Sequence, residues 1–264
     1  MSNAMIKLCG MHVLEQAIVS PADNTIELKG KCYHTDVLPW DVPVTGMIYG
    51  TLLNYKGALA ALGNAVNEAP YNAAPNAPIL YIKPVNTHIG YGMPIPLPTD
   101  IQEVAIGAAL GVVIGRTATR VSESAALDYV VGYTIVNDVR VPHDSVYRPA
   151  VSQLSRDGFC PVGPWIIKPE FINNPDEMGI RVFINGTLSQ DNTTANLTRS
   201  VSRLIAEITD FMTLSAGDML LVGIPENAPL AKAGDRVRIE IDGIGCLENP
   251  IVPEHKLVGG GVTL

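Results

Sequence analysis

Paired cysteines, long apolar runs and an excess of positive charge are all missing from this sequence, and each absence narrows what it can be. The four cysteines, Cys9, Cys32, Cys160 and Cys246, lie far apart and form no C-x-x-C pair. Ordinary reduced thiols in a cytoplasmic protein are therefore expected, not a disulfide framework or a zinc site. No apolar run approaches the ~18 residues needed to span a membrane. The opening MSNAMIKLCG has neither the basic nor the apolar region of a signal peptide. Its residues 1–4 read as a cloning remnant, with Met5 as the native start. Acidic residues outnumber basic ones by 26 to 18, a formal net charge of −8. That field disfavours nucleic acid and anionic membrane as partners, although a few local cations could still hold an anionic small molecule.

What is present is a globular chain, 47% hydrophobic and only 17% charged. Its 264 residues suit one large domain, or one domain with a small appendage. Residues 5–44 are short alternating pieces between Pro and Gly, and predict a small β-rich N-terminal segment ahead of a main domain over 45–264. GMIYGTLLN (46–54) reads as a buried strand, and YKGALAALGNAVNEAP (55–70) as a helix stopped by Pro70. ILYIK (79–83) is a further strand, and SESAALDYV (122–130) a short helix capped by Ser122 or Ser124. In IRVFINGTLSQ (180–190) an Asn-Gly pair between alternating runs predicts a hairpin. RSVSRLIAEITDFM (199–212) is amphipathic, with Val201, Leu204, Ile205 and Ile208 on one helical face. DMLLVGIP, DRVRIEIDG and GCLENPIV finish the chain as strands. With no regular βαβ alternation, and with 24 Gly and 20 Pro, the pattern predicts a β-rich α+β fold and not a doubly wound sheet.

Four stretches, in order, carry a family likeness: LNYKGALA, ILYIKPVNT, VVIGRTATRV with VVGYTIVNDV, and RDGFCPVGPWI. TLSAGDMLLVGIPENAPLAKAGDRVRIEIDGIGCLENPIV follows them. Together these residues, about 45–252, resemble the fumarylacetoacetate hydrolase family, whose core is a rolled, mixed β-sandwich with a few short helices. VPHDSVYRPA followed by SRDGFCPVG is similar to one branch, the bifunctional isomerase/decarboxylases of 4-hydroxyphenylacetate degradation, and in particular to their N-terminal repeat. The resemblance implies Mg²⁺ or Mn²⁺ held by two glutamates of an E-x-E pair and the aspartate of an N-D motif. The metal would chelate the 2-oxo acid end of a substrate and stabilise the enolate formed on C–C cleavage, decarboxylation or tautomerisation.

Matched residue by residue, the sequence departs from that pattern where the chemistry lies. The two glutamate positions fall on Gly107 and Ala109, while Asp138 keeps the aspartate. Glu103 cannot stand in, because four strand residues span roughly 13 Å at ~3.3 Å each. One carboxylate is a poor site for a hard divalent cation, so metal binding by this chain is expected to be weak or absent. The family's lid histidine falls on Ala58, and the two threonines of its TGTP turn on Val222 and Ile224. The polar positions that remain are Lys83, Arg140, Arg156 and Gln190, the candidates for substrate contact. Lys83 either meets a substrate carboxylate or snorkels from a strand end. Asp138 either touches a residual metal or accepts from turn amides. Arg156 with Asp157 is either a pair of polar loop residues at the site or a surface ion pair. Tyr55 reads as packing, and His12, His34, His88, His143 and His255 show no ligand spacing. No catalytic residue stands out.

The expected role is that of a subunit acting on unsaturated 2-oxo or 2-hydroxy dicarboxylates. The resemblance points to isomerisation of 2-hydroxyhepta-2,4-diene-1,7-dioate or decarboxylation of 5-carboxymethyl-2-oxo-hex-3-ene-1,7-dioate. The alternative is a non-catalytic partner of a metal-competent paralogue. A free-standing C–C hydrolase or oxaloacetate decarboxylase is disfavoured by Ala58. A homodimer, or a heteromer with a paralogous subunit, is expected in either case.

Overall fold

Aliphatic and β-branched residues put most of the chain into strands, which the computed structural model arranges in two large sheets; it describes residues 1–143 and 150–258. Residues 144–149, the middle of VPHDSVYRPA, lie outside the described residues, as do 259–264 at the end of the expected main domain.

The larger sheet begins at Lys31–His34 and runs through Thr25–Leu28, Glu15–Ser20 and Ser2–Ile6 to Cys160–Ile167. It continues through Val130–Asn137, Ala108–Ile114, Met219–Leu221 and Ile48–Leu52 to the edge strand Ile79–Lys83. The pairing is mixed: Met219–Leu221 lies parallel to Ile48–Leu52, and most neighbours are antiparallel. The second sheet runs Thr187–Thr193, Gly179–Ile184, Arg236–Ile241, Gly245–Pro253, Ile95–Leu97. The strands Cys160–Ile167 and Ala108–Ile114 are buried along their whole length, which is why they read as unbroken apolar runs without alternation.

The N-terminal strands extend the main sheet directly. Ala4 pairs with Ile167 and Ile6 with Trp165, and both Ala4 and Ile6 are fully buried. Trp165 joins the layers: its indole donates to the Ile244 carbonyl at 2.7 Å and meets Trp40 edge to face at 5.9 Å between centroids. The β-rich α+β architecture expected from the sequence is what the chain adopts.

The Asn-Gly hairpin forms as expected. Ile184 pairs with Thr187 across a two-residue turn, and Asn185 and Gly186 both take positive φ. The amphipathic stretch becomes the helix Val201–Phe211, with Ser200 accepting from the Arg203 amide as N-cap. Two local expectations differ. Residues 55–70 do not form one helix: Lys56–Ala60 is a single α turn and Gly63–Asn67 a 3-10 turn, separated where Gly63 takes a φ of +53°. Ser122 precedes a 3-10 turn over Glu123–Tyr129 without capping it, because its hydroxyl lies 3.2 Å from that of Ser124.

Candidate active site

The edge strand Ile79–Lys83 alternates, so Tyr81 and Lys83 project from one face and Ile82, 49% exposed, from the other. Across the strand pair, Tyr81 stands opposite Gly50, and its ring lies where a side chain at Gly50 would begin. Four strands along the sheet, Val130–Asn137 ends and the chain turns at Asp138, whose amide donates to the Gly107 carbonyl at 2.8 Å. These placements converge on one buried carboxylate.

Lys83 and Asp138 have no solvent exposure, and the Lys83 Nζ sits 2.8 Å from Asp138 Oδ1. Nζ also donates to the carbonyls of Val139 (3.1 Å) and Leu154 (2.6 Å). Two N–H bonds of Lys83 thus go to carbonyls and its charge is paired with Asp138, although Asp138 Oδ1 itself accepts no hydrogen bond among the described residues. Tyr81 donates its hydroxyl to Asp138 Oδ2, and Arg140 Nη2 lies 3.3 Å from the same oxygen. Burial alone would raise the Asp138 pKa, but Lys83 and Arg140 more than offset it, so the carboxyl sits below its ordinary value. Burial, followed by the charge of Asp138, holds the Tyr81 phenol well above its usual range. Arg140 is the cation of this group with capacity left: its side chain is 18% exposed, and its buried Nε has no partner among the described residues.

This donor set does not fit Mg²⁺ or Mn²⁺. The one carboxylate is already neutralised by two cations and bonded by a phenol. At Gly107 a Cβ would overlap the Asp138 carbonyl and come within 2.7 Å of Ile224 Cδ1, so an acidic side chain has no room there. Ala109 is fully buried in an apolar cluster with Val113, Val136 and Leu221, where an ionised oxygen would be desolvated without compensation. Among the described residues, no group of three His, Cys, Asp or Glu side chains could hold a metal.

Gln190 belongs to a neighbouring group. Its Nε2 donates to the Glu226 carbonyl at 2.7 Å, and Asn192 Nδ2 reaches Glu226 Oε1 at 3.4 Å. Fully buried Tyr55 packs against Gly223 in the same turn, and Ile224 links the group to Gly107. Val222 and Ile224 carry only apolar side chains at the turn, and Ala58 is half-buried on the one-turn helix Lys56–Ala60. Arg156 is engaged elsewhere: its Nε donates to the Ser152 carbonyl, and Nη1 lies 3.9 Å from Asp100. Asp157 accepts from Asn86 at 2.7 Å. The histidines make separate local contacts, His34 with Asp36, His88 with the Lys83 carbonyl and His143 with the Val141 carbonyl. Two residues of the site were not singled out in the sequence, Tyr81 and Glu226. The alternation of ILYIK, which puts Tyr81 on the face of Lys83, is the signal that could have found the first.

A match to the fumarylacetoacetate hydrolase C-terminal family extends over residues 47–252. The chain belongs to this family. The 4-hydroxyphenylacetate degradation bifunctional isomerase/decarboxylase of Escherichia coli is 39% identical over 212 residues, covering 80% of this chain and 48% of that protein. The chain thus spans about half the length of the curated relatives it matches. Among solved structures, 5-carboxymethyl-2-hydroxymuconate delta-isomerase from Mycobacterium smegmatis superposes with a TM-score of 0.78 at 28% identity, covering 96% of this chain and 99% of that one. 2-Hydroxyhepta-2,4-diene-1,7-dioate isomerase from Mycobacterium marinum gives 0.75 at 26% identity, with 96% and 99% covered. Relatives in this family are named as isomerases, decarboxylases and hydrolases.

Proposed function

We propose that the chain serves the isomerase side of the reactions its relatives are named for, moving a proton within an unsaturated 2-oxo or 2-hydroxy dicarboxylate, without a divalent metal of its own. The observation that carries this reading is the replacement of a multi-carboxylate centre by Asp138 held between Lys83 and Arg140. A proton shift within one conjugated molecule makes less charge than decarboxylation does, and side-chain cations can balance it. Arg140, with its unpartnered Nε, is the group to meet a substrate carboxylate; Lys83 acts from behind by fixing Asp138. Asp138 in turn orients Arg140. One charge-assisted hydrogen bond contributes roughly 1.5–3 kcal/mol, so Arg140→Met should weaken dicarboxylate binding by about ten- to a hundredfold.

The internal pairing of Lys83 and the loss of hydroxyls at Val222 and Ile224 favour a second reading, a partner subunit that supports a metal-competent paralogue. One experiment separates them. The chain is assayed for loss of 2-hydroxyhepta-2,4-diene-1,7-dioate absorbance, alone and with a paralogous subunit, in Mn²⁺ and in chelator. Turnover by the chain alone that survives chelation is expected; turnover only with the paralogue, abolished by chelator, would establish the supporting role. A homodimer alone or a heteromer with the paralogue is expected, and sedimentation showing only monomer in both mixtures would refute it.

A further inference from the structure

Glu226 is bound into its surroundings at every point but one. Its carbonyl accepts from Gln190 and its Oε1 from Asn192, but Oε2, buried from solvent, has no donor among the described residues. Two further oxygens in the same group are in that state. Tyr55 is fully buried with an unpartnered hydroxyl, and Gln190, only 9% exposed, has an unpartnered Oε1. Buried polar atoms are normally satisfied by protein, water or ligand, so three in one neighbourhood are free to meet a substrate. Burial, followed by the charge of Glu226, pushes the Tyr55 phenol well above its usual value, so it stays an O–H donor.

The covering helix is shaped for the carboxylate. A Cβ on Gly57 would fall on the Glu226 carboxyl group, so the glycine lets the helix backbone lie directly over it. That helix, Lys56–Ala60, has no fully buried residue, and Ala58 is its contact with the core. On the other side, Ile224 lies over Gly107, beside the Asp138 carbonyl's approach to the same glycine. Glu226 is two residues further on, at most roughly 7 Å of chain from Ile224. Ile224 thus connects the strand end at Gly107 and Asp138 to the turn that carries Glu226.

We propose that Glu226 is the proton-transfer residue of this site. This rests on the isomerase reading above. Oε2 takes the proton from the 2-hydroxyl of the dienol; the O–H electron pair becomes the C2=O π bond, and the diene electrons shift to C3=C4 as C5 takes a proton back from the carboxyl. Tyr55 donates a hydrogen bond to the 2-oxygen while it carries charge. Every atom and electron stays within substrate and protein, and no co-reactant is required. A carboxylate with one buried, unpartnered oxygen is suited to this step, which general acid–base catalysis typically accelerates by ~10²–10⁴-fold.

The test compares the parent chain, Glu226→Gln and Glu226→Asp, using 2-hydroxyhepta-2,4-diene-1,7-dioate in D₂O with absorbance and NMR readouts, with and without the paralogous subunit. Glu226→Gln keeps the size and hydrogen-bonding reach of the side chain, and thermal unfolding checks that each variant folds. The expected result is a fall in kcat of about a hundredfold or more for Glu226→Gln, with KM within threefold of the parent and partial recovery in Glu226→Asp. Deuterium entering C5 should fall in parallel. Parent turnover that persists in Glu226→Gln overturns the role of Glu226 alone. A parent chain with neither turnover nor deuterium incorporation rejects the isomerase reading and the role of Glu226 together.

Discussion

Lys83 combines a fully buried ammonium with two carbonyl acceptors from separate parts of the chain and an ion pair to Asp138. Removing one member of such a buried pair leaves the other charge uncompensated. Lys83→Met should destabilise the fold by about 3–5 kcal/mol, and Lys83→Met with Asp138→Leu by much less, both read from urea unfolding. The pH dependence has a definite sign. The folded pKa of Asp138 is depressed, so its contribution is fully present above the ordinary carboxyl value of ~3.9 and is lost as pH falls through the lower folded value. An Asp138→Asn variant should therefore show a flatter loss of stability below that pH than the parent. Lys83, Asp138 and Arg140 stood out in the sequence as polar candidates and Tyr81 and Glu226 did not; whom any of them bonds was not readable. Lys83 and Asp138 are 55 positions apart, and only the sheet brings them together.

At the level of elements, the strands Ile48–Leu52 and Ile79–Lys83 act as a unit, because Tyr81 reaches Asp138 by passing over Gly50. Gly50→Ala would force the ring away and should cost about 1–3 kcal/mol by overpacking, with the Tyr81 hydroxyl leaving Asp138. Tyr81→Phe keeps the ring in place and should cost only ~1 kcal/mol, the worth of one hydrogen bond. Thermal unfolding of the two variants distinguishes the effects. The edge strand, the hairpin and the long helix were legible because period and turn chemistry are local properties. The helix over 55–70 was not, because its apolar spacing is spent on a shallow cover that buries no residue, and Gly63 breaks it.

Over the whole molecule, the N-terminal strands complete the large sheet. Removing residues 1–40 would strip Ser2–Ile6 from Cys160–Ile167 and take Trp40 from Trp165, leaving a long apolar strand with one unpaired edge. Such a chain should aggregate, and size-exclusion chromatography against the full chain would show it. The sequence marked this region as β-rich; it could not show that its strands pair with residues more than 150 positions away.

The Lys83–Asp138–Arg140 cluster also bears on supply. On the proposed reading, a centre made only of side chains is complete once the chain has folded. It has no loading step, competes with no other protein for scarce manganese, and offers no place for iron or zinc to enter by mistake. Recombinant preparations should accordingly have the same specific activity whatever metal the growth medium holds, a constancy that an enzyme awaiting its cation does not have.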